Sequence, residues 1–265
     1  MRRAGSLSLG TVRSIETYNK DEQWREHSYM GVVRNLLTCG VAAVFGIQTG
    51  VAGEDAHEIA RSKMVEEQMA ARDISDERVL AAMRKVPRHR FVPEREQRYA
   101  YADTPLPIGE GQTISQPYIV ALMTQLVRPR PSDRALEVGT GSGYQAAVLA
   151  EVVKHVYSIE LEPALAASAR RALADLGYTN ITTRVGDGYA GWAEHAPFDI
   201  IIVTAAPDHV PQPLLDQLKP GGRMVLPVGP ISFGQELRLI EKDETGKLRT
   251  TNVTSVRFVP LRREN

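Results

Sequence analysis

The chain has 265 residues with 32 basic and 32 acidic side chains, so its formal net charge is zero. That balance leaves no electrostatic footprint for nucleic acid, and the length suits one α/β domain plus an extension. A single cysteine, Cys39, excludes an internal disulfide and a cysteine-based zinc site, and no His-Glu-x-x-His or similar cluster offers another metal site.

Residues 1–57 read as an N-terminal extension. Met1 to Tyr29 is polar and aperiodic, the composition of a disordered segment. Met30-Gly31-Val32-Val33-Arg34 then leads into the mostly apolar stretch Leu36 to Ile47, and Val51-Ala52-Gly53 follows with small residues. Read from Met30, this resembles a secretory signal peptide; it reads equally as a loosely packed helix. It is too short and too interrupted by glycine to span a membrane.

The domain proper is taken from residue 58. Glu58 to Ala71 is predicted helical, with Ile59, Met64 and Met69 among polar residues. Ser75 is the expected N-cap of a helix over Asp76 to Lys85, whose apolar face holds Val79, Leu80 and Met83. That helix should stop near Val86, because Pro87 disfavours helix at the residue before it. Pro87 to Pro117 is rich in Pro and Gly and reads as loop with short extended pieces, including Asp103 and Tyr101 in structural roles. Pro117 then opens a helix over Tyr118 to Val127.

From Ala135 onward strands and helices alternate. Strands are predicted at Ala135–Val138, His155–Ile159, Ile181–Val185, Asp199–Thr204, Arg223–Val228, Glu236–Glu241 and Asn252–Val259. Helices are predicted at Tyr144–Val152, Pro163–Leu176, Gly188–Glu194 and Pro211–Gln217, with Lys219 to Gly222 as a turn. The unbroken apolar run Ile200 to Val203 is what a central parallel strand, covered on both faces, requires. Only Lys242 to Arg249 separates the last two strands, so they should pair antiparallel. The pattern implies one doubly wound, mostly parallel sheet with a C-terminal antiparallel hairpin.

The first of these strands ends in Glu137-Val138-Gly139-Thr140-Gly141-Ser142-Gly143. A strand, a glycine turn and a helix N-terminus let a ligand lie on bare backbone. The spacing Gly139-x-Gly141-x-Gly143 is one residue shorter than the dinucleotide fingerprint, and no Lys-Ser/Thr pair makes it a phosphate loop. With Glu137 on the strand, it suits a cofactor with an amino acid and a nucleoside but no phosphate, and S-adenosylmethionine is such a molecule. Seventeen residues past Gly143, Glu160 ends the second strand, where a ribose diol would be held. Asp187, between Gly186 and Gly188 after the third strand, could accept from the adenine amino group; alone it would read as an ordinary turn. Because that cofactor is made in the cytoplasm, the chain is placed there, with export through a signal beginning at Met30 as the alternative.

Together these features resemble the seven-strand S-adenosylmethionine-dependent methyltransferases, and more narrowly the protein-L-isoaspartate O-methyltransferase family. The most specific block is Gly109-Glu110-Gly111-Gln112-Thr113-Ile114-Ser115-Gln116-Pro117. Pro87 to Pro93, Val203 to Pro207 and Leu218 to Gly229 resemble the family as well. The resemblance implies a Rossmann-like methyltransferase fold and methylation of the abnormal carboxylate of L-isoaspartyl residues in aged proteins. The ester then closes to a succinimide, whose hydrolysis returns part of it to aspartate. It also implies a catalytic role for Ser115 and cofactor contacts at Thr113, Ile114, Ser115, Glu137, the glycine loop, Glu160 with Leu161, Asp187 with Gly188, and Gln235. Ser115 would hydrogen-bond the substrate carboxylate or the cofactor; its other reading is a helix cap. Isoaspartyl proteins are the expected partners of a monomer without metal, nucleic acid or stable membrane association. The alternative is a methyltransferase acting on another carboxylate or small molecule.

Overall fold

The computed structural model describes residues 49–230, 232 and 234–263, with side chains from 56 onward. The extension up to 48, including most of the signal-like stretch, lies outside the described residues. Helix α1 (Thr49–Val65) runs across the expected boundary between residues 57 and 58 and continues into a π-turn over Glu66–Ala70 that buries Met69. Helix α2 (Glu77–Lys85) is capped by Asp76, whose side chain accepts from Arg78 N at 3.0 Å. Ser75, the expected cap, is instead held by its backbone N–H, which donates to Gln125 Oε1 at 2.7 Å. The helix ends before extended Val86, as the following proline dictates.

Between Pro87 and Pro117 the chain forms two 3-10 turns (Arg88–Phe91 and Glu94–Tyr99) and a short antiparallel hairpin, β1 (Leu106–Gly109) and β2 (Gln112–Ile114). Helix α3 (Pro117–Leu126) follows directly. Its N-terminus is capped from a distance: Asp103 accepts from Tyr118 N at 3.1 Å and from Gln116 Nε2 at 2.8 Å. The N-cap position is Gln116, so Ser115 does not cap the helix.

The remaining strands are β3 (Arg134–Val138), β4 (His155–Glu160), β5 (Ile181–Val185), β6 (Phe198–Val203), β7 (Leu218–Val228), β8 (Gln235–Lys242) and β9 (Leu248–Val256). They form one seven-stranded sheet in the order β5-β4-β3-β6-β7-β8-β9. The pairs among β3 to β7 are parallel, and β8 runs against both of its neighbours. The strand order reverses around β3, so the crevice at its C-terminal end is the natural place for a ligand.

Residues alternate between two cores along each central strand: Ile200 and Ile202 face one, Ile201 and Val203 the other. Helices α1 to α3 and α4 (Tyr144–Ala150) cover the first. Helix α5 (Pro163–Asp175) follows β4 and packs Leu173 into that core. The second core is covered by the short α6 (Gln212–Gln217) and the β5–β6 connection. That connection was expected to be one helix over Gly188–Glu194, but it holds two 3-10 turns, Gly188–Ala190 and Ala193–His195. Gln217 breaks it: its Nε2 donates to Ala190 O at 2.8 Å and its Oε1 accepts from Trp192 N at 2.7 Å. These bonds take up backbone groups that a continuous helix would pair internally. The expected turn Lys219 to Gly222 lies within β7, where the register against β6 shifts.

Candidate active site

The glycine bend sits where the sheet order reverses. Gly139 N and Thr140 N both donate to Ile159 O, at 2.8 and 3.1 Å, which ties the end of β3 to β4. Gly139 has φ +96°, and a Cβ there would lie 2.5 Å from Thr204 Oγ1. Only glycine suits both the backbone angle and that close approach. Thr204 Oγ1 in turn donates to Gly139 O at 2.6 Å, binding the bend to the end of β6.

Glu160 completes the rim at the end of β4. Its Oε2 accepts from Gly141 N at 2.7 Å and its Oε1 from Glu162 N at 3.0 Å. A carboxylate oxygen carries two lone pairs, so each still has one for a hydroxyl in the cleft. This pair of acceptors fits a ribose diol, whose hydroxyls would donate, and the bare Gly139–Gly141 backbone beside it fits a flat, phosphate-free ligand. Leu161 lines the same rim.

The resulting cleft encloses about 740 Å³, open solvent at its mouth included. Gly139, Gly141, Glu160, Leu161, Gly188, Thr113, Ile114 and Ser115 all line it. A second cleft, about 990 Å³ with open solvent likewise included, adjoins it and is lined by Pro105, Gln116, Ile119 and Ser255 to Phe258. Thr113, Ser115, Thr204 and Val259 belong to both walls. Ser115 is half-buried at this border.

Four expected cofactor residues do not reach the first cleft. Gly143 is the N-cap of α4, and a Cβ there would lie 3.3 Å from Ala169 and Leu173; it is a packing glycine. Glu137 is fully buried beneath the bend. Ser158 Oγ donates to its Oε2 and shares a 2.5 Å hydrogen bond with Thr140 Oγ1, so Glu137 supports the loop from below. Burial pushes its carboxyl up to about 8, while the Ser158 bond pulls the other way. Asp187 turns its carboxylate onto Tyr189 N at 2.8 Å, capping a 3-10 turn, and leaves its neighbour Gly188 as the lining residue. Gln235 is buried with both amide atoms committed: Oε1 accepts from Phe258 N at 2.6 Å and Nε2 donates to Phe258 O at 3.1 Å. It thereby fixes a wall of the second cleft.

Sequence reasoning missed other lining residues. Thr140, Ser142 and Thr204 adjoin recognised positions, and strand-end placement could have found them. Val259 to Arg262 carry no local signal; a parallel bridge between Ala206 and Pro260 brings them in. Among the described residues there is no group of three His, Cys, Asp or Glu side chains able to hold a metal, and no helix long and apolar enough to cross a membrane.

A doubly wound sheet with this glycine bend and an acid at the next strand tip defines a Rossmann-like, S-adenosylmethionine-dependent methyltransferase. Comparison with known proteins narrows the class. Residues 59–265 match the model of the protein-L-isoaspartate(D-aspartate) O-methyltransferase family, and the chain belongs to that family. Protein-L-isoaspartate O-methyltransferase 2 of Syntrophobacter fumaroxidans is 56% identical over 219 residues, covering 79% of this chain and 89% of that protein. A solved protein-L-isoaspartate O-methyltransferase is 30% identical with a TM-score of 0.69; the match covers 77% of this chain and 65% of that longer one. A Plasmodium falciparum structure described as such an enzyme, in complex with S-adenosyl-L-homocysteine, is 25% identical with a TM-score of 0.67 and covers 77% and 99%.

Proposed function

We propose that this enzyme methylates the carboxylate of L-isoaspartyl residues in damaged proteins, with Ser115 aligning that carboxylate at the border of the two clefts. The observation that carries the reading is the shared wall: Ser115 and Thr204 face both the cleft beside the glycine bend and the cleft beside Ser255 to Phe258. One cleft would hold S-adenosylmethionine, against the Gly139–Gly141 backbone with Glu160 on its ribose. The other would admit the peptide.

When bound, the donor supplies a methyl group on a positively charged sulfur that departs as a neutral thioether. The accepting carboxylate has an ordinary pKa near 4 and is already ionised at neutral pH, so the chain need provide no general base. Its task is alignment and the exclusion of water, which in well-oriented systems lowers barriers by roughly 7–11 kcal/mol. Ser115 Oγ can donate to one carboxylate oxygen and leave the other free to attack. Thr204 holds the glycine bend from the opposite side, so both halves of the reacting pair bear on one rigid junction. Arg257, a charged side chain at the second cleft, would draw the anionic group toward Ser115. The ester formed in this way closes to a succinimide and begins repair.

We take the catalytic unit to start at about residue 58 and to act as a monomer in the cytoplasm, without nucleic acid or metal. Labelled S-adenosylmethionine offered with paired peptides, differing only in Asp or isoAsp, tests the reaction. A base-labile label on the isoAsp peptide alone is expected. Equal labelling of both would reject the specificity, and label on nitrogen would reject the reaction class.

A further inference from the structure

The C-terminal segment forms a wall of the first cleft, through Val259, Pro260, Leu261 and Arg262. It is stitched to the loop after β6: Ala206 N donates to Val259 O, and Leu261 N to Ala206 O, both at 2.8 Å. After Leu261 the hold passes to side chains. Arg262 Nη2 lies 2.8 Å from Glu162 Oε1, and the Arg263 guanidinium stands 3.9 Å over the Tyr189 ring. Glu162 is the N-cap of α5, two residues beyond Glu160, and donates its backbone N–H to Glu160. The Arg262–Glu162 pair therefore joins two walls of one cleft: the C-terminal segment and the turn that carries the ribose-facing acid.

We propose that Arg262 and Glu162 are a latch that holds the Val259 to Arg262 segment against the cofactor cleft and sets the rate at which cofactor enters and product leaves. The proposal rests on the methyltransferase reading above. Both partners are positioning residues. Glu162 does not line the cleft, so its side chain acts on a bound molecule only through Arg262. The pair is partly exposed, with side-chain exposures of 46% for Arg262 and 27% for Glu162. Solvent and salt weaken such pairs, so this contact is weak enough to open as cofactor enters and product leaves.

The probe is S-adenosyl-L-homocysteine, with binding measured by calorimetry and release by displacement in stopped flow. Arg262→Gln and Glu162→Gln are each expected to speed release about two- to fivefold at low salt, the range that exposed pairs supply. The double variant should release no faster than either single one. Arg262→Lys, which keeps the charge, should retain most of the slow release. Added salt should speed release from the unaltered protein toward the variants' rate and leave the variants unchanged. Wild-type release from Glu162→Gln, or single effects that multiply in the double variant, would overturn the latch. An unaltered protein that fails to bind the probe would overturn the methyltransferase reading, and the latch with it.

Discussion

Glu160 accepts the backbone N–H of Gly141 at 2.7 Å, so the acid at the tip of β4 holds the glycine bend that ends β3. One carboxylate thus shapes the loop and faces the cleft. Glu160→Ala would leave the N–H groups of Gly141 and Glu162 without acceptors, each worth about 1–3 kcal/mol if it stays unpaired. We expect at least a roughly tenfold loss of S-adenosylmethionine affinity by calorimetry, equivalent to about 1.4 kcal/mol, together with a lowered melting temperature. Glu160→Gln, which keeps one acceptor oxygen, should fall between.

Ser115 contributes no cap to α3, since Asp103 does that work. Ser115→Ala should therefore change unfolding free energy by no more than about 0.5 kcal/mol. Turnover of an isoAsp peptide should drop about 10- to 100-fold, the scale of lost alignment at a reacting pair. Unchanged kinetics would remove Ser115 from the reaction.

Glu137 links stability to pH. Its carboxyl is raised from 4.5 to about 8 by burial. The native state thus holds a proton that the unfolded chain has lost between those values, and stability falls as pH rises through that window. The contribution is whole below about pH 4.5 and gone above about pH 8. Glu137→Gln, an uncharged mimic of the protonated form, should lack this fall. Urea unfolding at pH 5.5 and 8.5 should show the variant gaining on the unaltered protein by on the order of a few kcal/mol at the higher pH.

Gln235 tests the second cleft apart from the first. Gln235→Ala frees Phe258 N and O from a buried clamp, at a cost of about 1–3 kcal/mol in stability. The KM for an isoAsp peptide should rise while calorimetric affinity for S-adenosylmethionine holds. A loss confined to the cofactor would return Gln235 to the first cleft.

Arg257 is exposed and lines only the second cleft. Arg257→Gln should raise the peptide KM about two- to fivefold at low salt, with kcat preserved and the difference fading as salt is added.

The sheet was legible because its signals are local. Ile200 to Val203 is apolar without a break, and strand-to-helix turns follow β3 and β4 at glycine or proline. The β5–β6 helix was misread because Gln217, more than twenty residues away in the chain, supplies the bonds that break it. Ser75 was misread because Asp76, an equally good cap, stands beside it.

The sequence by itself determined the alternating strands and helices, the address of the glycine bend, and the acid at the next strand tip. Each depends on residues adjacent in the chain or on the period of one element. Only the tertiary structure decided which side chains face the cleft. Glu137, Asp187 and Gln235 turn to backbone or hydroxyl partners beneath and beside it, whereas Thr204 and Val259 to Arg262 enter from strands and loops far along the chain. Side-chain direction depends on which hydrogen-bonding groups the packed fold brings within reach, and spacing along the chain does not encode that.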